Sequence, residues 1–200
     1  MKTIYLVRHA ETTWNREGKV QGSRDTPLSI DGLAQTAKTV AFLSALRFDA
    51  IFTSPLTRAR AIAEPVGAKL GILPIVVSEL REIEFGGWEG HTWNEIEAMY
   101  PATLAAWELK PAEARPDGGE SLAEVGHRAE MVRSMLESTC GNLALVVAHG
   151  GFNRVFMSVL LDLPLSSYNS FTQPNACISV FEAETSKWQA RVIDSTCHLA

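Results

Sequence analysis

The run Leu143-Ala-Leu-Val-Val-Ala148 is apolar from end to end and leads directly into His149-Gly150-Gly151 and a helical stretch from about Phe152 to Leu161. A strand with no polar alternation has to be covered on both faces, the situation of a mainly parallel sheet with helices above and below it. The rest of the chain alternates in the same way. Residues 3–8 form a β-branched and aromatic strand, and Ala10 to Leu28, rich in Gly, Asn, Asp and Arg, reads as a loop. Ser29 is an N-cap candidate for a helix from about Asp31 to Leu46, with apolar Leu33, Ala37, Val40 and Leu43. A strand at Asp49–Thr53 follows, then a helix begun by Ser54-Pro55 that Pro65 is expected to kink or interrupt. Further strands are expected at Ile72–Val77, Cys177–Glu182 and Gln189–Ile193, and capping boxes at Thr92-x-x-Glu95 and Ser121-x-x-Glu124.

This order predicts an α/β three-layer sandwich. Residues 1–200 read as one domain, with a partly helical insertion over about 91–119 that carries Pro101, Pro111, Pro116 and Gly118-Gly119. In such sheets ligands sit beyond the carboxyl ends of the strands. Arg8-His9 ends the first strand, Ser54 to Arg58 follows the second, Glu82 follows the third, and His149-Gly150 ends the Leu143–Ala148 strand. Taken singly, Glu82 and Arg60 read best as solvated charges, while His149-Gly150-Gly151 is open between a strand-to-helix turn and a site. Taken together, the clusters at four strand ends mark one site.

The residue types suit phosphoryl transfer. A phosphoryl group in flight spreads negative charge over three oxygens, and guanidinium forks match that charge. Arg8 and Arg58 are the candidates, with Arg60 a less certain third. Histidine offers a nucleophile that is largely deprotonated near neutrality. Of the five histidines, only His9 and His149 end strong strands; His91 and His127 suit surface or packing roles. Glu82 is the candidate proton donor, since like charge raises the pKa of a carboxyl beside a dianionic phosphate. Gly150 can offer a backbone N–H at a helix N-terminus, and Asn15, Gln21 and Gly22 can add neutral hydrogen bonds from the loop.

Composition narrows the partner classes. A net charge of −5 without a basic run argues against nucleic acid, and no stretch of about 18 apolar residues exists to span a membrane. Cys140, Cys177 and Cys197 are widely spaced and read as free, small buried side chains without a metal-binding signature. A cytoplasmic protein, monomeric or homodimeric, is expected.

Leu6-Val7-Arg8-His9-Ala10-Glu11-Thr12-Thr13-Trp14-Asn15 resembles the signature of the histidine phosphatase superfamily, phosphoglycerate-mutase-like branch. The resemblance continues through Gln21-Gly22, Ser54 to Ala59, Leu80 to Gly90, Gly118 to Ser121 and Val147 to Gly151, in the family's order. It implies that His9 is the nucleophile phosphorylated in the reaction and Glu82 the proton donor. Arg8, Arg58 and His149 would form the phosphate pocket, assisted by Asn15, Gln21 and Gly150. It also implies one antiparallel strand in the sheet, and neither metal nor cofactor. Ala10 departs from the family's usual Gly and narrows the pocket floor; Pro65 departs from a regular helix.

Glycolytic mutases of this family are longer, so at 200 residues the chain resembles the short phosphatases. The expected activity is a metal-independent phosphomonoesterase acting on a small phosphorylated metabolite. Phosphoglycerate mutase activity is the alternative, and an inactive binding module a third. Between Phe85 and Gly119, Trp88, Trp93, Tyr100 and Trp107 are mostly expected in the core. Few basic residues are expected beyond the phosphate pocket, which disfavours bisphosphates.

Overall fold

The computed structural model describes residues 1–138, 141–185 and 187–200, so the reading of Cys140 lies outside the described residues. Among the described residues six strands form one sheet: β1 (Lys2–Arg8), β2 (Ala50–Thr53), β3 (Ile75–Val76), β4 (Leu143–Ala148), β5 (Ile178–Glu184) and β6 (Lys187–Ser195). Their spatial order is β3-β2-β4-β1-β5-β6. The pairings β3·β2, β2·β4 and β4·β1 are parallel, while β5 runs antiparallel to both β1 and β6. One strand therefore runs against the other five.

The apolar strands are covered on both faces. Val7, Ile51, Leu145 and Val147 pack beneath α2 (Ile30–Leu43) and α3 (Thr57–Leu70), against Val40, Leu43, Ile62 and Val66. Their sequence neighbours Leu6, Phe52, Val146 and Ala148 point the other way, into a core with α6 (Leu122–Ser138) and α7 (Gly150–Leu160). The period of two along each strand thus feeds two separate cores.

Four local differences from the sequence expectation have physical causes. Helix α3 runs through Pro65 without interruption: Pro65 lies on the exposed face, where water can solvate the carbonyl that loses its N–H partner, while Ile62, Ala63, Val66 and Gly67 stay buried. Ser54-Pro55 does not start that helix. Leu56 is its N-cap residue and offers no side-chain bond, and the carboxylate of Asp25 accepts the Thr57 N–H instead, at 3.0 and 3.1 Å. Within the expected loop, a single turn α1 (Thr13–Arg16) forms because Thr12 and Asn15 make a reciprocal capping box. The Ile72–Val77 run contributes only a two-residue edge strand, exposed at Ile75 and Val76, with Pro74 immediately before it. The capping boxes at Thr92 and Ser121 form as expected, ahead of α4 (Trp93–Met99) and α6, and α5 (Pro101–Leu109) follows α4.

Candidate active site

Arg8 and His9 leave the end of β1 at the floor of a cleft of about 290 Å³. His9 is 2% exposed, and its Nδ1 lies 2.7 Å from the carbonyl of Ala10. A carbonyl can only accept, so Nδ1 carries the proton and Nε2 keeps its lone pair. Burial and the nearby Arg58 and Arg8 charges hold the His9 pKa well below its ordinary value. The imidazole is therefore neutral at pH 7. Arg8 donates through Nη1 to the carbonyl of Gln173, and its buried Nε has no hydrogen-bond partner among the described residues.

Arg58, on the first turn of α3, is also 2% exposed and is anchored by three protein acceptors. It donates from Nη1 to the Arg24 carbonyl (2.6 Å), from Nη2 to the Gly22 carbonyl (2.8 Å) and from Nε to Nδ1 of His149 (3.2 Å). Asp25 stands 3.5 Å from Nη1. The bond from Arg58 makes His149 Nδ1 an acceptor, so Nε2 holds the proton and donates to Ser54 Oγ at 2.7 Å. Burial, Arg58 and His9 keep His149 neutral, with a pKa well below the ordinary value. The two imidazole rings lie 5.2 Å apart. Gly22 has a φ of +54°, which glycine adopts without steric cost, and it lies close against the Glu89 carboxylate.

Glu82 caps the N-terminus of α7 from a distant part of the chain. Its Oε1 accepts from the N–H groups of Ile83 (2.9 Å) and Phe152 (2.8 Å), and its Oε2 from Gly151 (3.1 Å). The Asn153 N–H goes to the His149 carbonyl, which leaves Gly150 as the helix-end donor available to an anion. Arg128 fixes the Glu82 segment from behind. It holds the carboxylate of Glu120 in a two-point fork at 3.0 Å and donates to the carbonyls of Glu79, Arg81 and Glu82.

Of the residues expected to assist, Asn15, Gln21, Gly22 and Gly150 all line the cleft. Asn15 Oδ1 accepts from Thr12 and from Asn175 Nδ2, so its amide N–H groups are the ones left for a ligand. Gln21 Oε1 is likewise taken by Thr26. His149 lies just behind the lining, fully buried. Arg60 is not brought to the site: it lies on the exposed side of α3 and pairs with Glu64, four residues on. His127 is exposed on α6 and His91 sits in a turn, as expected. Cys177 is buried, with its thiol pushed up to about 12 chiefly by burial; Cys197 is exposed, contrary to its reading as a core residue.

The sequence reading missed three groups. Ser54 belongs to the expected cluster after the second strand and to the expected helix start, but its part as the partner of His149 is not read there. Arg154, one helical turn beyond Gly150, and Lys19, in the loop, both line the cleft. The four-residue spacing from Gly150 to Arg154 was the available signal. Arg8, Lys19, Arg58, Arg154 and the carboxylate Glu82 line the cleft; Lys19 is paired with Glu17 at 2.7 Å, so Arg154 is the cation added beyond the expected phosphate pocket. Trp88 and Trp107 belong to the core, whereas Trp93 (48% exposed), with Phe85 and Tyr168, forms an aromatic rim. Among the described residues no group of three His, Cys, Asp or Glu side chains is arranged to hold a metal ion, and no helix is long and apolar enough to cross a membrane.

Residues 4–196 match the family described as histidine phosphatase superfamily (branch 1). The chain belongs to this superfamily and is a hydrolase of it. It is 32% identical over 200 residues to phosphoserine phosphatase 1 of Hydrogenobacter thermophilus, covering 100% of this chain and 95% of that protein. It is 31% identical to the protein named probable phosphoglycerate mutase GpmB of Klebsiella pneumoniae, covering 95% and 89%. Among solved structures, a mycobacterial glucosyl-3-phosphoglycerate phosphatase superposes with a TM-score of 0.88 at 28% identity, covering 98% of this chain and 100% of the other.

Proposed function

We propose that this chain hydrolyses a small phosphorylated metabolite through a phosphohistidine on His9, without a metal ion. The observation that carries the reading is the tautomer of His9, whose Nδ1–H is spent on the Ala10 carbonyl so that Nε2 offers a lone pair. In this reading Nε2 attacks phosphorus in line, the ester P–O bond breaks, and Glu82 protonates the departing alkoxide. Water then attacks phosphorus while Glu82 takes its proton, the P–N bond breaks with its electron pair returning to Nε2 of His9, and inorganic phosphate leaves. Arg8, Arg58, the Gly150 N–H and the Asn15 amide stabilise the equatorial oxygens, with His149 behind them. The chain acts as one catalytic unit, the 91–119 segment supplying the rim residue Trp93. An exposed free thiol at Cys197 suits a reducing cytoplasm.

The test is a panel of phosphate esters assayed with and without EDTA. The expected result is stoichiometric phosphate release at a rate EDTA does not change, with a phosphoenzyme that is stable in alkali and labile in acid. Interconversion of 3- and 2-phosphoglycerate without phosphate release would overturn the hydrolytic reading in favour of a mutase.

The place of Arg154 in the cleft lining supports a substrate that carries a second anionic group near it. Arg154 donates from Nη2 to the Thr172 carbonyl, and its buried Nε has no hydrogen-bond partner among the described residues. Arg154→Met is expected to raise KM for O-phosphoserine about tenfold or more, with little change for phosphoethanolamine, which lacks only the carboxylate. Equal effects on both esters would remove Arg154 from substrate recognition.

A further inference from the structure

Among the described residues no carboxylate contacts Arg8, and its Nη1 is oriented by the backbone carbonyl of Gln173. Gln173 lies in the segment between the 3-10 turn Leu165–Ser170 and β5, and its backbone has a φ of +48°, a conformation that costs free energy for a residue with a Cβ. Something has to hold it there.

The restraint is Asp194, near the end of β6, itself at φ +53°, where Asp is among the better-tolerated residues. Its Oδ2 accepts from Thr172 N (2.8 Å), Thr172 Oγ1 (2.9 Å) and Gln173 N (2.9 Å). Its Oδ1 accepts from Gln173 Nε2 and from Ser179 Oγ (3.4 Å), and its own N–H donates to Ser179 Oγ (2.9 Å). Gln173 is fully buried, and its Oε1 accepts from Asn153 Nδ2 on α7 at 2.8 Å. The same segment reaches the nucleophile: Ala176 donates its N–H to the His9 carbonyl (3.0 Å), and Asn175 Nδ2 bonds Asn15 Oδ1 (3.0 Å). One carboxylate therefore fixes a segment whose polar groups meet Arg8, His9 and Asn15.

We propose that Asp194 is a positioning residue, which sets the direction of the Arg8 guanidinium by locking the backbone of Thr172 and Gln173. Asp194 touches no substrate atom and acts through the Gln173 carbonyl. The proposal rests on the reading of Arg8 as a phosphoryl-binding group, and it makes the far end of β6 part of the machinery of β1.

The test compares Asp194→Asn, Arg8→Ala and the double variant. Asn keeps the size and the tolerance of positive φ but sets an amide against one group of donors. The readouts are kcat and KM for an aryl phosphate, inhibition by orthovanadate, affinity for inorganic phosphate by calorimetry, and Tm. Asp194→Asn is expected to stay folded and to lose roughly ten- to hundredfold in kcat with little change in KM, weakening vanadate by a similar factor. In the Arg8→Ala background the same change is expected to cost almost nothing further. Additive losses, or a lowered Tm with unchanged kcat and vanadate inhibition, would overturn the proposal. A wild type that releases no phosphate defeats the hydrolase reading instead. In that case phosphate affinity decides: an Asp194→Asn loss that vanishes without Arg8 upholds the coupling, and a wild type that binds no phosphate overturns it as well.

Discussion

His9→Ala is expected to leave a folded chain whose release of phosphate from an aryl ester falls by about 10⁴-fold or more. The neighbouring histidine does not offer a substitute. His149 stands 5.2 Å away ring to ring, but its Nδ1 accepts from Arg58 and its Nε2 faces Ser54, so neither nitrogen presents a lone pair to the cleft. Binding should survive, because Arg8 and Arg58 keep their anchors in Gln173, Gly22 and Arg24. The variant should accordingly bind inorganic phosphate within a few-fold of wild type while forming no alkali-stable phosphoenzyme. The pH profile carries a second check. With the His9 pKa held well below its ordinary value by burial and by Arg58 and Arg8, wild-type activity is expected not to fall between pH 7 and pH 6 through loss of the lone pair of the proposed nucleophile. An alanine variant that retained more than about a hundredth of the wild-type rate would refute the assignment of His9 as nucleophile.

The residues at strand ends were legible in the sequence because β1 and β4 are apolar runs that stop abruptly at Arg8-His9 and His149-Gly150. A buried strand fixes where its next polar residue emerges, and the rule for parallel sheets fixes the side. The same logic located Arg58 and Glu82, although β3 shrank to two residues, since their placement depends on the turn rather than on the length of the strand. Arg60 failed for a simple reason. Residues two apart on a helix face different directions, so a buried Arg58 sends Arg60 to solvent, where Glu64 meets it. The uninterrupted α3 shows a propensity overruled: a proline on the wet side of a well-buried helix is tolerated. The couplings through Asp25, Ser54, Asp194 and Arg128 were not legible, because they join segments tens of residues apart by single side chains that no local period marks. The helix-turn spacing that brings Arg154 under Gly150 was legible and went unused.

Glu82→Gln should separate substrates by their leaving groups. The carboxylate is held in place by three backbone N–H donors, from Ile83, Gly151 and Phe152. A glutamine that puts its oxygen at the Oε1 position keeps two of these bonds and sets its NH₂ against the Gly151 N–H, at a cost of about 1–3 kcal/mol. The fold is expected to tolerate that loss. An alkoxide is a poor leaving group and needs a proton as the P–O bond breaks, whereas nitrophenolate leaves readily without one. With an alkyl phosphate, the variant should lose on the order of 10³-fold in the first turnover. With p-nitrophenyl phosphate, the first-turnover burst of nitrophenolate should stay within about tenfold of wild type. The steady state should then slow, because water still needs a base to attack phosphorus, and phosphohistidine should accumulate on His9. That accumulation distinguishes a lost proton carrier from a merely displaced helix: a displaced α7 would also disturb Gly150 and weaken phosphorylation by both substrates alike. Equal loss in the first turnover of both esters would therefore sink the proton-transfer role of Glu82 and leave it as a cap of α7 alone.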